Sequence, residues 1–231
     1  MKPPIHTILI GLLQLLGTLA GGCGDFPTLC PDTLYELNTP DPRGRLPEDE
    51  SHHCTVTAEW WYYTGRLKAE GRPDFGVEAV IFRIPPLSLL PVGDLWVAHY
   101  SVLDESTGAF IYDQVRMIQM PPDRSRPGTG FDLETPLVRM RGFGGNDELR
   151  CRMGDGRFEL ELTLSDLRGP VLHGGSGYVP YGADGRSFYY SRPRMRAEGT
   201  MADGDGVWPV SGEFWFDRQW GKDLKDPKEI W

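Results

Sequence analysis

The segment Glu-Trp-Trp-Tyr-Tyr-Thr-Gly-Arg-Leu, residues 59–67, decides the fold class of this chain. It sets four aromatic residues directly after a carboxylate, and aromatic side chains favour pleated, half-buried strands. Successive strand residues point to opposite faces. One face therefore carries Glu59, Trp61, Tyr63 and Leu67, and the other carries Trp60, Tyr62 and Arg66. In a barrel the first face would hold Glu59 between aromatic walls, where it either has a function or pairs with an arginine, because an unpaired buried carboxylate is costly.

Short apolar runs, separated by turn residues, continue along the rest of the chain. They predict strands at residues 75–84, 95–104, 110–119, 137–141, 149–153, 158–164, 188–191, 194–201 and 207–220. Gly154-Asp155-Gly156 is typical of a hairpin turn, and the run after it alternates apolar with acidic residues. No helical periodicity of useful length accompanies these runs. Many short strands without crossover helices predict an all-β fold, a closed antiparallel barrel over residues 51–221.

Composition and motifs exclude several functions. A chain of 231 residues with 39% hydrophobic content can build the core of one large all-β domain. The net charge of −9 lacks the basic surface that nucleic-acid binding requires. No hydrolase, phosphate-loop or zinc motif occurs, and the neighbours His52 and His53 would point to opposite faces of a strand. The sequence therefore predicts no metal, no cofactor and no nucleic-acid partner.

The first 22 residues have the pattern of a lipoprotein signal peptide. Lys2 precedes an apolar run over residues 8–20, which is short for a membrane span. Small residues then lead directly into Cys23, which is predicted to be lipidated and to anchor the protein to a membrane. Gly24 after the cysteine favours the outer membrane, so the predicted location is the periplasmic side of a bacterial cell envelope. The alternative is an ordinary signal peptide cleaved near this site.

Residues 23–50 are rich in proline and polar residues and predict an extended arm. Export permits disulfide formation. With Cys23 lipidated, one intramolecular pair can form among the other three cysteines, and the preferred pair is Cys30–Cys54. Cys151 falls in a predicted hairpin strand and is expected to be a small buried side chain.

A second aromatic run with a carboxylate, residues 214–220, contains Asp217. If this run and residues 59–67 are neighbours, they enclose a lumen walled by Trp and Tyr with few polar groups. Such a lumen suits a long apolar ligand that is held by buried area. His99 lies on an otherwise apolar strand face, where either a core partner or a function would satisfy it. The glycine-rich segment 173–178 is flexible enough to be a lid or portal loop.

These residues carry a resemblance to a known family. The matching positions are His53, Glu59-Trp60-Trp61-Tyr62-Tyr63-Thr64-Gly65, Leu67, His99, Tyr189-Tyr190-Ser191, Gly212, Trp215, Asp217 and Trp220-Gly221. From about residue 45 onward the chain resembles carotenoid 1,2-hydratase (hydroxyneurosporene synthase) and its secreted lipocalin-like relatives. Arg218 stands where a histidine is frequent in that family. The resemblance implies a lipocalin-like antiparallel barrel as the first of two barrels, with residues 222–231 as a tail or the start of the second.

The resemblance also implies a chemistry. The hydratase protonates a terminal isoprenoid double bond, and water then attacks the tertiary cation. This reaction needs a general acid with a raised pKa and aromatic faces that stabilise positive charge. The implied catalytic residues are Asp217 and Glu59. The implied ligand-binding residues are Trp61, Tyr63, His99, Tyr178, Tyr190, Trp215 and Trp220.

Two hypotheses for the function follow. The first is a lipid-anchored lipocalin-like protein that binds or processes an apolar, isoprenoid-like or polyketide-like small molecule; if it is an enzyme, it is a carotenoid 1,2-hydratase-like lyase. The second is a non-enzymatic interaction or structural protein with a filled barrel, assisting an envelope transport partner. A packed interior favours the second. Burial should raise the pKa of Glu59 or Asp217 unless an arginine such as Arg66 or Arg218 pairs with it.

Overall fold

The structure is a computed structural model that describes residues 43–53, 56–84, 94–118, 124–125, 128–181 and 185–222. The predicted signal peptide, the lipidation of Cys23, the Cys30–Cys54 disulfide and the tail after residue 222 lie outside the described residues. Within the described part of the chain, no helix is both long enough and apolar enough to cross a membrane.

The described residues form one antiparallel sheet, preceded by a 3-10 helix over Glu48–Glu50. The strands are β1 (Ala58–Lys68), β2 (Phe75–Ile84), β3 (Leu95–Asp104), β4 (Phe110–Met117), β5 (Phe131–Glu134), β6 (Val138–Phe143), β7 (Asn146–Arg152), β8 (Glu159–Asp166), β9 (Val171–Leu172), β10 (Tyr178–Tyr181), β11 (Gly185–Asp203) and β12 (Gly206–Lys222). Their order in the sheet is β4-β3-β2-β1-β12-β11-β8-β7-β6-β5, and β9 and β10 both pair with β11.

The sheet curls into a half-barrel around one interior. Strand β6 comes close to β2 and β3 from the opposite side, and the hydrogen-bonded path through the described residues ends at β4 and β5. The Asp113 carboxylate of β4, at one end of the strand order, accepts a hydrogen bond at 2.7 Å from the amide of Gly154, in the turn between β7 and β8. The prediction of an all-β, lipocalin-like antiparallel fold is therefore confirmed, and the sheet takes the form of a half-barrel.

The alternation of side chains along each strand decides what fills the interior. The predicted inner face of β1 is confirmed, because Glu59, Trp61, Tyr63 and Leu67 are all 0% exposed. Other strands add large apolar side chains to the same core, among them Ile81, Trp96, Tyr100, Leu133, Met140, Leu149 and Phe216. The interior is thus aromatic and aliphatic around the single carboxylate of β1.

The chain before β1 also enters this interior. Asp49, Glu50, Ser51 and His53 are all buried, and the Trp61 indole donates a hydrogen bond to the Glu50 carbonyl at 3.2 Å. The sequence predicts an extended arm up to residue 50, whereas the end of that arm packs inside the half-barrel. Asp49 binds Arg45 of the same segment, whereas Glu50 and His53 have partners on the strands, as described below.

Strand β11 and the three short strands β5, β9 and β10 differ from the sequence-based expectation. Strand β11 is continuous over Gly185–Asp203, where the sequence predicts two strands separated by Pro193. A register shift between Arg192 and Met195 absorbs the proline, as a bulge in a strand can. The short β5 has no counterpart among the predicted strands. Cys151 is buried in β7 as predicted, and burial raises the pKa of its thiol.

Candidate functional site

Glu59 lies in a buried ion-pair network on the inner face of β1. Its carboxylate accepts hydrogen bonds from Arg218 at 2.6 Å and from Arg83 at 2.7 Å, and the His53 amide donates to it at 3.2 Å. Burial by itself raises the pKa of Glu59, but the charge of Arg218, the hydrogen bond from His53 and the charge of Arg83 outweigh it and hold the pKa well below its usual range. Glu59 is therefore ionised and paired, which is the structural alternative that the sequence left open.

Arg218 is the other centre of this network and is 0% exposed. It donates to the Ser51 carbonyl at 2.8 Å and to the Gln219 carbonyl at 3.0 Å. Its guanidinium carbon lies 3.9 Å from the centroid of the Trp61 ring, a geometry in which the ring face stabilises the cation. Trp61, predicted to line a ligand site, thus covers an arginine of the protein itself.

His53 completes the network as a neutral ring. It stacks on Trp220 with ring centroids 4.6 Å apart and an interplanar angle of 5°. Its Nδ1 lies 3.2 Å from the Arg218 guanidinium, which can only donate, and 3.4 Å from the Glu59 carboxylate, which can only accept, so the tautomer decides which of the two it binds. Burial and the charge of Arg218 lower the pKa of His53 to about 4, although its hydrogen bond to Glu59 opposes the change.

A second buried carboxyl group, Asp147 of β7, was not among the predicted site residues. It is 4% exposed, and its Oδ2 accepts a hydrogen bond from the Tyr63 hydroxyl at 2.7 Å. Burial raises the pKa of Asp147 to about 7, the negative charge of Glu50 adds to this, and the Tyr63 hydrogen bond opposes it. The alternation of β7 places Asp147 on the same face as the apolar Leu149 and Cys151, and this is the sequence signal that marks it as buried.

Beside Asp147, Arg192 joins two more carboxylates. It forms an ion pair with Glu50, and its second nitrogen lies 2.6 Å from the Asp166 carboxylate. The other oxygen of Glu50 accepts a hydrogen bond from the Gly144 amide at 2.7 Å. This cluster fixes the segment before β1 to β11 and to the β6–β7 turn.

Asp217 lies on the opposite, outer face of the sheet. In the register of β1 with β12, Trp61 pairs with Arg218 and Tyr62 pairs with Asp217. Residues that pair across two strands point to the same face, so Asp217 points outward with Tyr62, whereas Glu59 points inward with Trp61. The two candidate carboxylates therefore do not share one lumen. The two aromatic runs are neighbours, and Tyr63 and Phe216 meet in the interior, but the expectation that Asp217 and Trp215 line that interior is wrong.

The carboxylate of Asp217 is held by side chains of β11 and β12. Its Oδ1 accepts hydrogen bonds from the Ser191 hydroxyl at 2.5 Å and from the Trp215 indole at 2.7 Å. Burial and the charge of Asp217 raise the pKa of the nearby Tyr189 to about 12. Asp217 is only partly buried, and Trp215 is 40% exposed. The outer face thus presents a carboxylate among ring systems within reach of solvent.

The remaining predicted ligand-binding residues divide between the two faces. Tyr63, Tyr190 and Trp220 are buried in the interior. His99 is partly exposed on the outer face and meets the Phe82 ring edge-on at a centroid distance of 6.1 Å. Tyr178 packs against Phe188 at 6.0 Å. The structure therefore brings Asp217 and Trp215 together but separates them from Glu59 and Trp61.

The described residues form surface pockets away from this network. One of about 390 Å³ borders β5, β6 and the start of β7, and one of about 470 Å³ lies over β7, β8 and β11. Neither is lined by Glu59, Trp61 or Tyr63. In the described residues no group of three or more His, Cys, Asp or Glu side chains is placed to hold a metal ion.

Fold and site together define a lipocalin-like half-barrel with a buried arginine–carboxylate network and an aromatic outer face. The model of the AttH-like family matches residues 38–231. The chain therefore belongs to the AttH-like family. None of the curated proteins matches the sequence.

Two crystal structures share the fold. A candidate AttH protein from Nitrosomonas europaea gives a TM-score of 0.70 at 26% identity, covering 82% of this chain and 59% of that one. Kievitone hydratase from Nectria haematococca gives a TM-score of 0.56 at 15% identity, covering 79% and 53%. The chain thus spans little more than half the length of either protein. The lipocalin-like fold implied by the resemblance is confirmed, and the family that is shown is the AttH-like one.

Proposed function

We propose that this protein binds an apolar small molecule, isoprenoid-like or polyketide-like, against its aromatic outer face and adds water to an alkene of that molecule, with Asp217 as the proton-transferring group. The observation that carries the proposal is the contrast between the two carboxylates. Glu59 is fully buried and held by two arginines, whereas Asp217 is partly exposed beside Trp215.

The chemistry requires a group that can exchange a proton next to a stabilised cation. One alkene carbon gains a proton, water attacks the other carbon, and the attacking water then loses a proton, so that the net change is the addition of one water molecule. A carboxyl group can perform either proton transfer. The hydrogen bonds from Ser191 and Trp215 fix the orientation of Asp217, and the neighbouring ring faces suit a carbocation. A carotenoid 1,2-hydratase-like activity is the specific form of this proposal, supported by the family and by a hydratase with the same fold.

The test uses Asp217→Asn and an acyclic carotenoid such as lycopene, dispersed in detergent. We expect the wild-type protein to form a product heavier by one water, detected by mass spectrometry, and the variant to form none. Glu213→Gln is the matched control, because Glu213 is an exposed carboxylate on the same strand that pairs with Arg194. Equal product from wild type and Asp217→Asn would overturn the role of Asp217.

A second candidate is a non-enzymatic binding or structural protein of the envelope that assists a transport partner. The packed interior favours it, since side chains of the protein itself occupy the position expected for a lumen. If the protein has this second function, its aromatic outer face contacts a protein partner. Failure of wild type and Glu213→Gln to convert any isoprenoid alkene would favour this candidate.

We also propose that the protein is exported and anchored through a lipid on Cys23, at the periplasmic side of a bacterial envelope, with the outer membrane favoured. The apolar run that ends in small residues and Cys23 supports this. Cys23→Ser should move the protein into the soluble periplasmic fraction, and the nearby Cys30→Ser should stay with the membranes. A Cys23→Ser variant that survives a carbonate wash on the membrane would contradict the anchor.

A further inference from the structure

A chain of side-chain hydrogen bonds leads from His173 to the proposed catalytic carboxylate. His173 Nε2 lies 2.8 Å from the Ser191 hydroxyl oxygen, and that hydroxyl lies 2.5 Å from Asp217 Oδ1. Ser191 is 1% exposed, so its hydroxyl is enclosed between these two partners. Neither His173 nor Ser191 is among the predicted site residues, although Ser191 belongs to a matched run and His173 begins the glycine-rich segment.

The donors and acceptors in this series of hydrogen bonds follow from the number of hydrogens that each side chain carries. A serine hydroxyl has one hydrogen to donate, and a carboxylate can only accept. Ser191 therefore donates to Asp217, and it must accept from His173, whose Nε2 carries the hydrogen. His173 thus determines which way the Ser191 hydroxyl points.

His173 also holds a second partner of Asp217. Its ring stacks on Tyr189 with centroids 3.7 Å apart and an interplanar angle of 8°. The charge of Asp217 contributes to the raised pKa of Tyr189, so the Tyr189 hydroxyl lies near this carboxylate. One histidine therefore constrains two groups beside Asp217, one by a hydrogen bond and the other by ring contact.

The backbone explains how this loop residue is held in place. Strand β9 pairs with β11 and ends at Leu172, directly before His173. The His173 amide donates to the Tyr189 carbonyl at 3.1 Å, and its carbonyl accepts from Gly177 at 2.8 Å. Gly174 and Gly177 have φ values of 64° and 83°, which L side chains rarely adopt. The glycines thus close a turn that presents His173 to β11.

We infer that His173 is a positioning residue for Asp217, acting through the Ser191 hydroxyl and the Tyr189 ring. This inference rests on the proposed function of Asp217, but the orientation of the carboxylate can be measured without turnover. In the protein as folded, His173 keeps the Ser191 hydrogen on Asp217 Oδ1, the same oxygen that the Trp215 indole binds.

The experiment compares His173→Phe, which keeps a ring over Tyr189 but cannot donate, with His173→Gln, which can donate but does not stack. The readout is the indole ¹⁵N–¹H signal of Trp215, assigned through Trp215→Phe. We expect His173→Phe to shift this signal and His173→Gln to restore it at least partly. Turnover of lycopene should fall about tenfold in His173→Phe and less in His173→Gln, as expected for loss of one hydrogen bond to a charged system. Ser176→Ala, in the same loop, is the control.

The outcomes separate the two proposals. An unchanged Trp215 indole signal in folded His173→Phe overturns the positioning role. A shifted signal without turnover in any variant or in wild type supports the positioning role and contradicts the hydratase proposal. If His173→Phe does not fold, Ser191→Ala replaces it, because this variant removes the hydrogen-bond chain but keeps the stacked ring. An unshifted indole signal in Ser191→Ala likewise overturns the inference.

Discussion

Glu59 and Asp217 lie on neighbouring strands but on opposite faces of the sheet. Substitution of the buried Glu59 should therefore lower the free energy of unfolding more than substitution of the partly exposed Asp217. We expect Glu59→Gln to lower the free energy of unfolding by about 3–5 kcal/mol, because it leaves Arg218 buried without its anionic partner. Urea unfolding measures the loss. Glu213→Gln, which breaks the exposed pair with Arg194, should change the free energy of unfolding far less, because solvent screens that pair. Equal stability of Glu59→Gln and wild type would show that the buried pair makes no net contribution.

At this scale the sequence identifies which residues matter better than what they do. The strand period places Glu59 correctly on the inner face, and Arg218 is one of the two arginines expected as possible partners, but only the register reveals that Arg83 also reaches it. Pairing with Arg218 holds the pKa of Glu59 low, and burial instead raises the pKa of Asp147, which is not a predicted site residue. The arginines of β7, Arg150 and Arg152, point away from Asp147. The neighbours of Asp147, Tyr63 and Glu50, come from distant parts of the chain. Long-range partners of this kind cannot be found from the spacing of residues.

At the scale of elements, most strands follow directly from the alternation of side chains. The predicted bounds of β2 and β3 agree with the structure, because clean apolar runs end there in turn residues. The glycine in the aromatic strand has a packing reason as well. A Cβ on Gly65 would lie 2.3 Å from the Phe214 ring of β12, so the missing side chain lets this ring cover the backbone of β1. Such a close approach depends on strand pairing, and the sequence alone does not show it.

For the molecule as a whole, polar contacts join parts of the half-barrel that are far apart in the chain. The Tyr63 hydroxyl of β1 reaches Asp147 of β7, which is 84 residues away. Glu50 links the segment before β1 to Arg192 of β11 and to Gly144. The carboxyl group of Asp147 therefore sits where the two halves of the sheet meet around the core, and its ionisation is coupled to the stability of the entire fold.

This coupling predicts the pH dependence of stability. The pKa of Asp147 rises from its ordinary 3.8 to about 7 on folding, so the folded protein holds this proton more tightly than the unfolded chain. The stabilisation from this group is complete below about pH 4 and is lost as pH rises towards 7, by up to about 1.4 kcal/mol per pH unit. Asp147→Asn cannot ionise and escapes this loss.

Urea unfolding between pH 5 and pH 8 tests the expectation. The stability of Asp147→Asn relative to wild type should increase with pH across this window and level off above pH 7. Carboxyl groups with a lowered pKa, such as Glu59, change stability in the opposite direction, because their stabilisation is lost as pH falls. Their effect is the same in wild type and in Asp147→Asn, so it cancels in the comparison. Glu148→Gln, at the next and outward-facing position of β7, should run parallel to wild type. Parallel curves for Asp147→Asn and wild type would mean that Asp147 already ionises in the folded core at low pH.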